Sequence, residues 1–246
     1  MFSAGLALTD LDDALAALKA MGRDGNRALA LAINEIAGEG VKALQAGAHS
    51  AFDRPTPFTL NAFRVQYAKA SSPEAAIWVK DEKDGAGGQQ APEAWFEPQV
   101  YGGARRVKRS EYRLREIGAL PSDMFIAPGP GARLDAYGNL SRGHMQQIMS
   151  GLGADNPMGS TMVATQSRRS LAKGHAKAFF VIKRGKKPIG IAERRGKSMS
   201  VVLLFVRQPS YSRRFDFHKI VRQVAENDAL AEAAIDRAVL KVGRSG

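Results

Sequence analysis

Four histidines, His49, His144, His175 and His218, are the side chains best suited to acid–base or metal chemistry, and they stand far apart in the chain. A metal site read from sequence needs ligands at short, regular intervals, and no H-E-x-x-H or comparable spacing occurs. Joining His144, His175 and His218 into one site is left entirely to the fold. The absence of cysteine excludes disulfides and thiolate metal sites and fits folding in a reducing cytoplasm. No serine lies in a G-x-S-x-G elbow, and no glycine pattern matches a phosphate loop or a dinucleotide fold. Asp123, Asp135 and Asp155 sit among turn-forming residues, and nothing selects them over ordinary solvent-facing turn carboxylates. The sequence therefore predicts a protein that is not an enzyme and carries neither metal nor cofactor.

Charge carries more information. The chain has 36 Lys and Arg against 24 Asp and Glu, a net of +12. Residues 1–100 hold 9 basic and 13 acidic side chains, whereas residues 101–246 hold 27 and 11. The basic clusters are Arg105, Arg106, Lys108 and Arg109; Arg168, Arg169 and Lys173; Lys183, Arg184, Lys186 and Lys187; Arg194, Arg195 and Lys197; and Arg213 with Arg214. Clusters sharing one face would bind phosphates, strongly at low salt and weakly at high salt. Arg105, Arg106, Arg109, Lys186 and Lys187 are the candidate contacts, to DNA or to an acidic protein. Aromatic residues are not interleaved with them, so base stacking is not supported and any nucleic-acid contact is non-specific.

A second local feature is the run from Pro128 through Gly129, Pro130 and Gly131 to Asp135, Tyr137, Gly138 and Asn139. Glycine and Asn supply positive φ, Pro fixes φ, and Asp accepts backbone donors. One reading is a rigid docking loop in which Pro130, Asp135, Tyr137 and Asn139 face a partner, with Tyr137 as anchor. The other is a surface connector whose tyrosine packs on its own domain.

Around these features the chain reads as an α+β protein with a mainly antiparallel sheet. Thr9 is placed to cap a first helix with Leu11, Leu15, Leu18 and Met21 on one stripe, and Gly22–Asn26 breaks it. A second, alanine-rich helix is expected from about Arg27 to Ala48, with small residues that let a neighbouring helix approach closely. Pro55 and Pro57 end it. Strands follow at Phe63–Ala68 and Ala76–Lys80, then a polar, glycine-rich mobile loop at 81–92. Arg105–Arg115 reads as a short basic helix with Tyr112 and Leu114 apolar. Residues 118–176 read as a long irregular arm containing one short helix near Ser141–Gly151. Ala178–Lys183, Ile189–Glu193 and Val201–Val206 read as strands, the last central in the sheet, and helices are expected at Phe215–Glu226 and Ala229–Val242. The implied organisation is 1–117, N-terminal helices with the first strands; 118–176, an extended arm; and 177–246, sheet-completing strands and C-terminal helices forming one domain with 1–117. No apolar run is long enough to span a membrane.

The segment Arg27-Ala28-Leu29-Ala30-Leu31-Ala32-Ile33-Asn34-Glu35-Ile36-Ala37, after a short Leu-rich helix, resembles the opening of the minor tail protein Z family of lambda-like phages. It is also similar to the wider group of phage neck and tail-completion proteins, which pass through a Pro-containing turn into strands, here Phe52 to Thr59. The strand, basic turn, strand, Val201–Val206 and terminal helices resemble the same group, as does Leu134–Asn139 with Ser141-Arg142-Gly143. The long middle departs from the lambda-like pattern. The resemblance implies a non-catalytic virion protein, made in the host bacterial cytoplasm, that joins head to tail or completes the tail. Its implied partners are other copies in a ring, six or twelve to match tail symmetry, neighbouring neck and tail proteins, and genomic DNA contacted non-specifically. The competing expectations are a basic nucleic-acid-binding protein that forms no ring, and an enzyme such as a nuclease or cell-wall hydrolase, which would need converging carboxylates or histidines.

Overall fold

The computed structural model describes residues 3–6, 12–81, 91–154 and 178–244. They form an α+β protein with eight helices, nine strands and antiparallel sheets among the described residues. The chain divides into two compact units, Met1–Gly103 with Ser212–Gly246, and the continuous segment Ala104–Tyr211 between them.

In the first unit, β1 (Ser3–Leu6) leads to α1 (Asp12–Ala20) and then to the 29-residue α2 (Arg23–Ala51). The break between the two helices is confined to Met21 and Gly22, shorter than the Gly22–Asn26 expected. Gly25 is helical. A Cβ there would fall 1.7 Å from the Leu18 carbonyl oxygen, so this glycine serves the close approach of α1 to α2 rather than a break. Thr9, the expected cap, lies outside the described residues, as do residues 82–90 of the expected mobile loop.

The buried face of α2 carries Ala28, Ala32, Ile33, Ile36, Ala37, Leu44 and Ala48. Small side chains shorten the distance at which a second helix can seat, and the helix that does so is from the same chain. It is α8 (Asp228–Gly243), with Ala231, Ala234 and Ala238 buried in the same core. Arg237 Nε reaches Glu35 Oε1 at 2.8 Å on the rim of this seam. The short α3 (Pro57–Leu60), capped by Thr56, leads to β2 (Phe63–Gln66) and β3 (Ala75–Val79), which give an antiparallel sheet ordered β1-β3-β2. The unit is completed by α4 (Pro92–Tyr101) and α7 (Phe217–Ala225). Phe63, Phe96, Phe215 and Phe217 form its aromatic centre, with Phe96 and Phe215 rings 5.3 Å apart.

The second unit begins within β4 (Gly103–Ala104), which pairs with β9 (Ser210–Tyr211) at the other end of the segment. Its helices are α5 (Arg109–Glu116), shorter than the Arg105–Arg115 expected, and α6 (Arg142–Gly151). On α5, Leu114 is buried while Tyr112 is exposed. The sheet consists of β5 (Phe125–Pro128), β6 (Phe179–Arg184), β7 (Lys187–Arg195) and β8 (Ser198–Val206), in the order β5-β8-β7-β6. The apolar β8 is internal, as its composition predicts. Ile126, Phe179, Ile191 and Leu203 join Leu114, Ile148 and Met149 in one core.

The two crossings between units, at 103/104 and 211/212, differ from the boundaries expected at 117/118 and 176/177. The reason is the register. Phe125 pairs with Val206 and Pro128 with Leu203, so the strands after residue 177 complete a sheet with β5 rather than with the strands near the N-terminus. Residues 118–154 are thus built into the second unit through β5 and α6, and 155–177 lie outside the described residues.

Candidate functional site

The charge asymmetry maps onto the two units. Ala104–Tyr211 holds 20 Lys and Arg against 6 Asp and Glu, a net of +14, and the remainder of the chain is at −2. What matters next is which of those cations are engaged inside the protein.

Arg105 is engaged. Its guanidinium grips the fully buried Glu111 carboxylate through two bonds, Nη1 to Oε2 at 2.9 Å and Nη2 to Oε1 at 2.5 Å, and lies 4.9 Å from the Phe125 ring centre. Glu111 also accepts the Lys108 amide at 2.8 Å and the Ile126 amide at 2.9 Å. Burial alone would push this carboxyl pKa up, but the Arg105 hydrogen bonds and the two amides outweigh it and hold the pKa below its usual value. Arg105 therefore clamps α5 to β5 and is not a surface contact, contrary to the expectation. Arg115 is likewise engaged, donating to the Met124 carbonyl at 2.8 Å and lying 5.1 Å from the same Phe125 ring centre. Arg106 and Arg109 are exposed.

Lys186 and Lys187 sit at a tight turn. Arg184 pairs with Lys187 across a two-residue loop, Gly185-Lys186. Gly185 has φ +62°, the positive value that a primed hairpin turn needs at its first loop position. Lys183, Arg184, Lys186 and Lys187 are all exposed and have no acidic partner among the described residues. The β7–β8 turn repeats the chemistry with Arg195-Gly196-Lys197, but there Arg195 is bound to Glu193 at 3.0 Å and Arg194 stacks on Phe180. Register places Phe125, and with it the Arg105 segment, at the same end of the sheet as the Lys186 turn, on the opposite edge. Three strand spacings separate those edges, about 14 Å. Arg213 and Arg214 belong to the first unit, where Arg213 pairs with Asp216. Arg168, Arg169 and Lys173 lie outside the described residues.

The candidate docking loop lies at the other end of the sheet. Asp135 Oδ1 accepts the amides of Tyr137 and Asn139, each at 2.9 Å, and the Asp135 amide donates to the Asn139 carbonyl at 2.7 Å. Asp135 is therefore committed to its own loop. The main chain around Pro130 follows β8, with Gly129 and Gly131 donating to Val202 and Val201 carbonyls at 3.0 and 2.8 Å. Pro130, Tyr137 and Asn139 are exposed on a rigid connector.

One cluster was not anticipated. Glu193, 9% exposed, receives Arg195 Nε, with Arg133 at 3.8 Å and His144 Nε2 at 3.9 Å. His144 Nδ1 accepts the Arg133 amide at 2.9 Å, which places the ring proton on Nε2, and that nitrogen has no hydrogen-bond partner among the described residues. Burial, then the positive charges of Arg133 and Arg195 set against the opposing pull of Glu193, lower the imidazole pKa. A neutral imidazole that is 2% exposed is sealed from solution and joins α6 to the loop after β5 and to β7. The available signal was Glu193 itself, the sole acidic residue between Asp155 and Asp216 in a strongly basic stretch.

His49 is exposed on α2, and His218 Nε2 lies 2.9 Å from the Tyr101 hydroxyl in the first unit. No group of three or more His, Cys, Asp or Glu placed to hold a metal occurs among the described residues. No described helix is long and apolar enough to cross a membrane. Comparison with protein-family models, with curated proteins and with solved structures finds no match to this chain.

Proposed function

We propose that the chain is a structural, non-catalytic component of a tailed-bacteriophage virion, at the head–tail neck or in tail completion, working as a ring of copies. The observation that carries the reading is the segregation of charge, with a net of +14 on one continuous inserted unit and −2 on the rest. A chain so divided can offer one unit to protein neighbours and direct the other at a polyanion. That is what a ring around a DNA channel requires. The N-terminal likeness to minor tail protein Z and to neck and tail-completion proteins supports the same assignment. Arg105 and Arg115 are engaged within the protein, and Arg133 and Arg195 lie against Glu193, so the uncompensated positive charge sits at fewer places than composition suggests.

The second reading is a non-specific nucleic-acid-binding protein that acts without a ring, and the same basic unit favours it. Light scattering on purified chain, without DNA, at low and high salt separates the two. With a chain mass of 26.5 kDa, the virion reading expects a discrete species of about 160 kDa for six copies or about 320 kDa for twelve. A monomer at every concentration, together with salt-dependent DNA affinity, favours the second reading instead.

A further inference from the structure

The sorting of cations in the second unit singles out one place. We propose that the β6–β7 turn, with Lys183, Arg184, Lys186 and Lys187, is a contact element for the phosphate backbone of duplex DNA. The proposal deepens the virion reading by naming the partner of the basic unit and the residues that meet it.

Four cations occupy the five positions from Lys183 to Lys187, and the fifth is the glycine that the turn requires. None of the four side chains has a hydrogen bond or ion pair to another described residue, in contrast to those of Arg105, Arg115, Arg133 and Arg195. The strands of this hairpin carry one carboxylate, Glu193, which stands near the far end of β7 and is held there by Arg195. Four like charges without a counter-ion repel one another and add nothing to the fold, so folding does not explain their placement. A polyanion does, because each phosphate neutralised releases a condensed counter-ion.

The side chains also choose between partners. A protein interface is centred on aromatic or large apolar anchors that leave water on binding. The segment Lys183–Lys187 contains none. Nor does it contain an aromatic ring on which an unpaired base would stack, or an Asn or Gln to read base edges. Charge on a rigid two-residue turn suits the regularly spaced phosphates of a duplex and carries no sequence preference.

The test is binding of the full chain to a fluorescent duplex of arbitrary sequence, by anisotropy, from 50 to 200 mM salt. The quadruple variant Lys183→Gln, Arg184→Gln, Lys186→Gln, Lys187→Gln is compared with an equal charge change on the other unit, Lys19→Gln, Lys69→Gln, Lys219→Gln, Arg222→Gln. Four lost phosphate contacts lower the slope of log affinity against log salt by about 3.6, so the wild-type advantage at 50 mM shrinks by roughly 100-fold at 200 mM. The control variant should keep most of the wild-type slope. A charge-preserving variant, Lys186→Arg with Lys187→Arg, should bind as wild type does and shows that the turn itself is intact. Equal losses in the two quadruple variants, or a wild-type affinity indifferent to salt, would overturn the proposal. Light scattering keeps the two claims apart: a ring without DNA affinity refutes this contact and leaves the virion reading standing, whereas DNA affinity lost with the turn in a chain that stays monomeric does the reverse.

Discussion

Replacing the buried Glu111 with Ala should strongly destabilise the second unit. The carboxylate is wholly buried and accepts four hydrogen bonds, two from Arg105 and one each from the Lys108 and Ile126 amides. Its removal leaves a guanidinium that is 11% exposed without its counter-charge and a buried Ile126 amide without an acceptor. Breaking a buried ion pair from one side costs about 3–5 kcal/mol, and an orphaned buried amide about 1–3 kcal/mol, partly the same energy counted twice. A loss of about 4 kcal/mol is therefore expected, a large share of the stability of a unit this size. Both tryptophans, Trp78 and Trp95, lie in the first unit, so tryptophan emission is the wrong probe. Hydrogen exchange read by mass spectrometry over Phe125–Pro128 in rising urea reports the second unit directly. A double-mutant cycle with Arg105→Met should show coupling of about 2 kcal/mol or more, because the double variant removes both charges. The Glu111 pKa is lowered in the folded state, so its contribution is complete above the unfolded value and fades as pH falls through the folded one. A Glu111→Ala loss under about 1 kcal/mol, or strictly additive single losses, would refute the clamp.

Three further outcomes follow from the same geometry. The lowered His144 pKa means that the native state prefers the neutral ring. Stability should be unaffected above the usual pKa of 6.5 and should fall as pH drops below it, and His144→Asn should flatten that slope in thermal melts from pH 7 to 5. Asn34 brackets Ala68, donating to its carbonyl at 3.0 Å and accepting its amide at 2.6 Å, so Asn34→Ala should cost the first unit about 1–2 kcal/mol by tryptophan-monitored denaturation. Asp135→Ala frees the Tyr137 and Asn139 amides of an exposed loop; exchange across 134–140 should quicken while global stability changes by less than about 1 kcal/mol.

Much of the fold is legible because its elements obey simple periods. The stripe of Ile33, Ile36, Ala37 and Leu44 announces α2, and the unbroken apolar run Val201–Val206 announces an interior strand. What escaped depends on contacts between residues distant in the chain. α4 gives no clear helical signal in sequence because Pro92 and Pro98 stand within it, yet Pro92 fits the first turn, where no amide partner is needed, and Phe96 and Val100 are buried. The division into units does not show in sequence because β5 precedes its pairing partner β8 by about seventy residues, and periodicity does not encode pairing across such a gap. Arg105 was grouped with its basic neighbours because charge clustering does not reveal a carboxylate one turn further on, although Glu111 is the only acid close to that cluster in sequence. The tight turn that exposes Lys186 and Lys187 is legible because Gly185 stands between Arg184 and Lys186.

On the virion account the chain is encoded by a tailed phage or prophage, and the most direct measurement is the protein composition of those particles, purified on a density gradient and analysed by mass spectrometry with electron microscopy. The virion account predicts the chain in intact particles at a fixed ratio of six or twelve copies per particle, and particles unjoined or incomplete at the neck or tail when its gene is interrupted. Complete, infectious particles that lack the chain would contradict it.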